Sequence, residues 1–133
     1  MSINEEIQRI RDLIANGAEH TIVQNADLPP KPDISLVEGG KLKFSEVPDS
    51  GLVVMLRYSG FQAFDKVVFN LAGESPDDTF AKSWDLIGEG TIEFIVPKAE
   101  LEKFLGSYAL ALYFIYRVND NQTSNWTYFD VIP

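Results

Sequence analysis

The chain has 133 residues, of which 45% are hydrophobic and 12% aromatic. This length and composition are typical of one globular domain that folds without disulfides or metal ions, and the sequence contains no cysteine. A formal net charge of −9 repels phosphate backbones and anionic lipid headgroups, so the composition argues against binding to nucleic acids or to membrane surfaces.

The spacing of apolar residues predicts an amphipathic helix over residues 2–16. Ser2 and Glu5 form a capping-box pattern at its start, and Gly17 stands where a left-handed C-cap is expected. An isolated helix of this length is marginal in water. Its apolar stripe must therefore be buried against this chain's own sheet or against a partner chain, and in the second case it would be an assembly surface made of Ile3, Ile7, Ile10, Leu13 and Ile14.

The N-terminal segment lacks the pattern of a secretory signal. Glu5 and Glu6 stand where a basic region is expected, and no unbroken apolar stretch follows them. The longest apolar run, residues 108–116, is about half of the roughly 20 residues that a membrane-spanning helix needs. We therefore expect no membrane insertion and a cytoplasmic location as synthesised, with export by a non-classical route left open.

From residue 27 onward the hydrophobic pattern changes to period two, which is typical of strands. This change divides the chain into an N-terminal helix and linker over residues 1–26 and a β domain over residues 27–133. Residues 98–105, between Pro97 and Gly106, are predicted as a short helix. About seven short strands with regular turns predict a mainly β fold, an immunoglobulin-like antiparallel sandwich of two sheets. The predicted strands cover residues 34–37, 42–44, 52–58, 67–71, 92–96, 110–118 and 126–132.

A characteristic order of motifs runs through the β domain: LPPKPDI, VEGGKLKF, YSGFQAFDKVVFNL, GTIEFIVPKAELEKFLG, YRVND and TSNWTYFDV. This order resembles the bacterial immunoglobulin-like repeat found in tandem in large surface or secreted proteins of Pseudomonas, Burkholderia and related bacteria. The resemblance implies the sandwich fold over residues 27–133 and does not indicate which ligand is bound. Two features depart from the pattern: Phe64 stands where glycine is expected before Asp65, and residues 73–84 are longer and more acidic. A lone copy with its own helix implies a use other than that of a spacer in an array.

No group in the sequence has the specificity of a catalytic or metal-binding motif, and no cofactor is expected. His20 is the only histidine, so a catalytic triad or a two-histidine zinc site would need it, and a solvated or capping role is favoured. The acidic segment 74–78, with Asp77 and Asp78, could hold calcium through its carboxylates. Its spacing lacks the EF-hand pattern, so we predict a solvated loop, no metal site and no enzymatic activity.

Aromatic residues in or beside the predicted loops are the one class that could mark a binding face, since sandwich loops often carry recognition. These residues are Phe61, Phe64, Phe80, Trp84 and Trp126. The favoured interpretation is that they cap the open ends of the sandwich core.

We expect a non-enzymatic module that binds a protein partner, and less readily a glycan, through residues 61–65 and 73–84, because acidic loops suit a basic protein patch. The candidate binding residues are Phe61, Phe64, Asp77, Asp78, Trp84 and Trp126. The alternative function is a structural subunit that homo-oligomerises through its N-terminal helix.

Overall fold

The computed structural model describes residues 2–19 and 25–133, and His20 lies outside them. The described residues form a mainly β structure with an N-terminal helix and a short second helix, so these parts of the fold prediction are confirmed. The helices are α1 (Ile3–Ala15) and α2 (Lys98–Leu101), and a 3₁₀ turn (Glu102–Phe104) continues α2. The strands are β1 (Asp33–Ile34), β2 (Lys41–Lys43), β3 (Leu52–Leu56), β4 (Lys66–Ala72), β5 (Thr79–Asp85), β6 (Ile92–Val96), β7 (Tyr108–Tyr116), β8 (Asn121–Thr123) and β9 (Thr127–Ile132).

The strands form two sheets that share one hydrophobic core. The smaller sheet has the order β1-β3-β6, and the larger has the order β2-β9-β7-β4-β5, with β8 paired to the end of β7. All pairings are antiparallel except that of β2 with β9. The shared core takes alternate residues of β3 and β6 from one sheet and of β4, β7 and β9 from the other. Period-two burial therefore brings the two sheets together, as the alternating pattern predicts.

Helix α1 has both of its predicted caps. The Ser2 hydroxyl accepts a hydrogen bond from the Glu5 amide at 3.1 Å. At the other end Gly17 adopts φ +93°, and Ala18 donates to the Leu13 carbonyl at 3.0 Å, which is the hydrogen bond of a Schellman motif. Glycine is favoured at this position because side chains with a Cβ rarely adopt such a φ. The local sequence thus determines where α1 begins and ends.

The apolar stripe of α1 packs against the larger sheet, on the face turned away from the shared core. Ile7 and Ile10 are buried in a second cluster with Leu110, Leu112 and Phe114 of β7. The alternate residues of β7, including Ala109 and Tyr113, belong to the shared core. Strand β7 is therefore buried on both faces, which explains its nearly continuous apolar sequence.

Two predicted strand boundaries in the larger sheet are wrong. Residues 73–84 were expected to form one loop, but Thr79–Asp85 form β5 and pair with β4 along its whole length. The alternation of apolar and polar residues in β5 is interrupted because Lys82, on the same face of the strand, stands between Phe80 and Trp84. Its ammonium lies 5.9 Å from the centre of the Trp84 ring system. The predicted strand 110–118 ends at Tyr116, because the Arg117 amide donates to the Asp120 carbonyl and closes a turn into β8.

The described residues contain no helix that is long and apolar enough to cross a membrane.

Candidate functional site

Three loops meet at one end of the larger sheet. They are the β3–β4 loop (57–65), the β5–β6 loop (86–91) and the β7–β8 turn (117–120). Their proximity follows from the strand register, because Lys66 at the start of β4 pairs with both Asp85 at the end of β5 and Tyr116 at the end of β7. We call this region the loop end, and it is the place where three separate segments present side chains together.

The loop end is held together by an ion pair between Asp65 and Arg117. Asp65 is 2% exposed, and its two carboxylate oxygens accept hydrogen bonds from Arg117 at 2.7 Å and 3.0 Å. Arg117 also donates to the Gly60 carbonyl at 2.7 Å, and the Gln62 amide donates to Asp65 at 2.9 Å. The hydrogen bond from Arg117 is the main cause of a lowered pKa for Asp65, which is therefore a carboxylate at neutral pH. This network ties the β3–β4 loop to the β7–β8 turn.

Phe64 lies in a β-bulge that joins the β3–β4 loop to the β5–β6 loop. Its amide donates to the Leu86 carbonyl at 2.8 Å, and the Leu86 amide donates to the Asp65 carbonyl at 2.9 Å, so two residues face one. Phe64 has φ +71°, the left-handed conformation that glycine normally supplies in a bulge of the G1 type. A non-glycine residue pays about 1–2 kcal/mol for this conformation. Phe64 is thus a strained backbone position.

The loop end also carries the most exposed large apolar side chains of the described residues. Phe64 is 93% exposed, Ile87 98% and Val118 98%, whereas other large hydrophobic residues in the described chain are at most 45% exposed. We call these three residues the apolar tip. Each comes from a different loop, and each is next in sequence to Asp65 or to a residue hydrogen-bonded to Asp65: Phe64 to Asp65, Ile87 to Leu86 and Val118 to Arg117. Side chains this exposed contribute almost nothing to the burial that stabilises the fold.

Exposed acidic residues lie in the same segments as the apolar tip. Asp85, Glu89 and Asp120 are exposed and form no ion pair with the described residues. Lys66, at the start of β4, is exposed and likewise forms no ion pair with the described residues. Arg117 is neutralised by Asp65, and Arg57 by Asp33 at 3.0 Å. The loop end therefore presents exposed apolar side chains together with exposed carboxylates.

The structure separates the two loop residues predicted for binding. Phe61 is buried in the core, with its ring edge-on to Tyr58 at 5.2 Å and tilted against Tyr113 at 6.0 Å. Phe64, three residues later, is exposed to solvent. Phe61 thus anchors the loop from which Phe64 projects.

Asp77 and Asp78 lie at the opposite end of the larger sheet, in the β4–β5 hairpin. The hairpin is closed by hydrogen bonds from the Gly73 amide to the Asp78 carbonyl at 2.8 Å and from the Asp78 amide to the Ser75 carbonyl at 3.0 Å. No group of three or more potential metal ligands occurs among the described residues, at this hairpin or elsewhere. The predicted contact residues 61–65 and 73–84 do not form one surface, because 73–78 lie at the opposite end of the sheet and 79–84 belong to β5.

The remaining predicted aromatic residues pack in two different clusters. Trp84 is half-buried at the shared core, 4.8 Å from the Phe94 ring, and Phe80 packs against the same core. Trp126 is half-buried beside α1, stacked at 6.2 Å on Tyr128. Because the two tryptophans belong to clusters on opposite faces of the larger sheet, they do not make a single aromatic platform.

The stripe residues of α1 contact the chain's own sheet. Ile7 and Ile10 are buried, and Ile3 and Ile14 are half-buried against the same cluster. Leu13 is 41% exposed. The apolar stripe of α1 is therefore covered by the chain's own sheet, which is one of the two surfaces considered for it. Assembly through this helix stays a prediction.

Two of the three residues in the apolar tip were missed by the sequence analysis. Val118 was assigned to the end of an alternating strand, and Ile87 follows β5, which was expected to be loop. The available signal was an apolar residue directly before a turn former: Ile87 precedes Gly88, and Val118 precedes Asn119.

Comparison of the chain with models of protein families, with curated protein sequences and with solved structures finds no match.

Proposed function

We propose that this chain is an immunoglobulin-like sandwich that acts as a non-enzymatic protein-binding module. The strand order supports the fold assignment, because the chain passes between the two sheets at β3–β4, β5–β6 and β6–β7. In the larger sheet β5, β4, β7 and β9 are neighbours in this order, as the C′, C, F and G strands are in immunoglobulin-like domains. The parallel pairing of β2 with β9 fits a first strand that is split between the sheets.

The apolar tip is the binding surface in this proposal. The observation that carries it is the gathering of Phe64, Ile87 and Val118, each more than nine-tenths exposed, on three loops of one end. Large apolar side chains clustered on a surface commonly mark sites of protein association. The ion pair between Asp65 and Arg117 connects two of these loops, and the backbone hydrogen bonds of Leu86 connect the third. Surfaces that are preformed in this way lose less conformational freedom on binding.

The test is affinity capture from a lysate of the source organism with the immobilised chain. A tip variant carries Phe64→Gly, Ile87→Asn and Val118→Asn, and a control variant of the opposite end carries Asp77→Asn and Asp78→Asn. We expect the wild type and the control to retain the same protein, and the tip variant to lose it. Equal capture by the tip variant would refute the assignment of this surface. Circular dichroism and thermal unfolding establish that all three chains are folded.

A further inference from the structure

We infer that the partner presents an apolar pocket with Lys or Arg residues at its rim, and that Phe64 is the side chain that enters the pocket. This inference rests on the proposed function, since it specifies the chemistry of the partner at the same loop end. It goes further by choosing the anchor residue and the sign of the partner's charge.

Phe64 is the anchor because its position combines two unfavourable features. Its backbone has φ +71°, and its ring is 93% exposed. Glycine at this position would remove the strain and the exposed ring, and none of the described ring contacts would be lost. Strained, exposed positions of this kind are concentrated at ligand contacts, where the presented side chain is needed. A projecting aromatic ring contributes most when it fills a desolvated pocket.

The carboxylates beside the tip, which we call the rim, indicate that the partner's contact surface is positively charged. Asp85, Glu89 and Asp120 place three exposed carboxylates in the segments that carry the tip. The cations of these segments are Lys66, opposite Asp85 in the strand register, and Arg57 and Arg117, which are paired with Asp33 and Asp65. A pocket flanked by cations would be attracted, and the association rate would fall as salt increases. The same carboxylates oppose an anionic membrane and oppose a second copy of this chain placed tip to tip. The occupant is therefore a different protein with a basic rim.

The experiment identifies the partner and then measures binding with it in purified form. The photo-cross-linking residue p-benzoyl-L-phenylalanine replaces Asn119, beside the tip, and a matched chain carries it at Asp77 in the opposite hairpin. The protein that cross-links from position 119 and not from 77 is expressed and purified. Its dissociation constant and association rate are then measured with the wild type, Phe64→Gly, Phe64→Asn, Leu36→Gly and the rim variant Asp85→Asn/Glu89→Gln/Asp120→Asn, at low and high ionic strength.

We expect both Phe64 variants to bind at least about thirtyfold more weakly, as hot-spot residues do. Leu36, the other non-glycine residue with positive φ among those described, lies outside the tip, and Leu36→Gly should leave the affinity unchanged. The rim variant should associate about tenfold more slowly at low ionic strength and lose its salt dependence.

Different failures separate this inference from the proposed function. Loss of binding with Phe64→Gly together with unchanged rates for the rim variant would overturn the basic pocket and leave the proposed function standing. Full affinity of both Phe64 variants would overturn the anchor. Cross-linking that is no stronger from 119 than from 77, or cross-linking from 119 only to a second copy of this chain, would overturn both.

Discussion

The guanidinium of Arg117 donates hydrogen bonds to both carboxylate oxygens of Asp65, at 2.7 Å and 3.0 Å, and this pair joins the residue before β4 to the residue after β7. Both side chains are largely removed from water, with the Asp65 side chain 2% and the Arg117 side chain 16% exposed. Removing one partner of such a pair leaves a buried charge without compensation, which is far more costly than losing an exposed pair.

Arg117→Met should lower the free energy of unfolding by about 3 kcal/mol at neutral pH, measured by urea denaturation. The matched control is Arg57→Met, which breaks the exposed pair with Asp33 and should change stability by less than about 1 kcal/mol. Equal effects of the two variants would contradict the structural role of the buried pair.

The same variant tests the pH dependence of this pair. Because Arg117 lowers the pKa of Asp65 in the folded state, the unfolded chain binds the proton more readily. The stabilisation is present above the unfolded pKa, about 3.9, and is lost as pH falls through the lower folded pKa. The difference in unfolding free energy between wild type and Arg117→Met should therefore narrow below about pH 4. A gap that stays constant down to the acid limit of folding would exclude this linkage.

Phe64→Gly should raise the free energy of unfolding by about 1 kcal/mol, since it relieves a left-handed backbone and loses no buried surface. Chemical denaturation of wild type, Phe64→Gly and Phe64→Ala measures this. The alanine variant serves as the control, because alanine keeps the strain and should not be stabilised. If Phe64→Gly is more stable than the wild type but binds the partner more weakly, the wild-type residue lowers stability in order to support binding. Destabilisation by glycine would show that the ring supports the fold.

Tyrosines should make the fold sensitive to alkali. Burial raises the pKa of Tyr108, Tyr113, Tyr116 and Tyr128, and Tyr113 donates its phenol proton to the Pro30 carbonyl at 2.7 Å. The unfolded chain loses these protons near pH 10, whereas the folded chain retains them to higher pH. The free energy of unfolding should therefore decrease as the pH rises above about 10. Tyr113→Phe should cost about 1 kcal/mol at neutral pH, through the lost hydrogen bond, and should make the decline above pH 10 shallower in urea titrations. An unchanged alkaline slope would count against Tyr113 as a main contributor.

Ile10→Ala should destabilise the chain by about 2–4 kcal/mol, because Ile10 is fully buried between α1 and the larger sheet. Leu13→Glu, on the same helix but 41% exposed, should have a much smaller effect. Thermal unfolding compares the two variants. Light scattering on Leu13→Glu also tests the assembly alternative: if the wild type is an oligomer and this variant is a monomer, the helix has an intermolecular contact in addition to the intramolecular one.

Local patterns accounted for the elements whose side chains alternate cleanly or follow helical spacing. Ser2 and Gly17 marked the ends of α1, and the alternation in 92–96 coincides with β6. The pattern failed at β5, where Lys82 extends over Trp84 from an edge strand and so occupies a position between two core-facing aromatics. An edge strand needs fewer apolar residues, since one of its sides is open to water, and a period-two test therefore detects it poorly.

The candidate site was less accessible to prediction than the fold. Phe61 and Phe64 are close in sequence and chemically alike, yet one is buried in the core and the other is exposed. Nothing local distinguishes them, because the difference arises from the bulge opposite Leu86 and from the packing of Phe61 on Tyr113.

The sequence by itself determined the acidic charge, the helix with its caps, the mainly β class and the need to bury the stripe of α1, because these depend on composition and on the spacing of neighbours along the chain. Only the tertiary structure decided that the stripe lies on the outer face of β7 and that Phe64, Ile87 and Val118 come together at one end. Strand register sets both outcomes. It brings the ends of β4, β5 and β7 side by side from positions far apart in the chain, through hydrogen bonds that no short segment of sequence specifies.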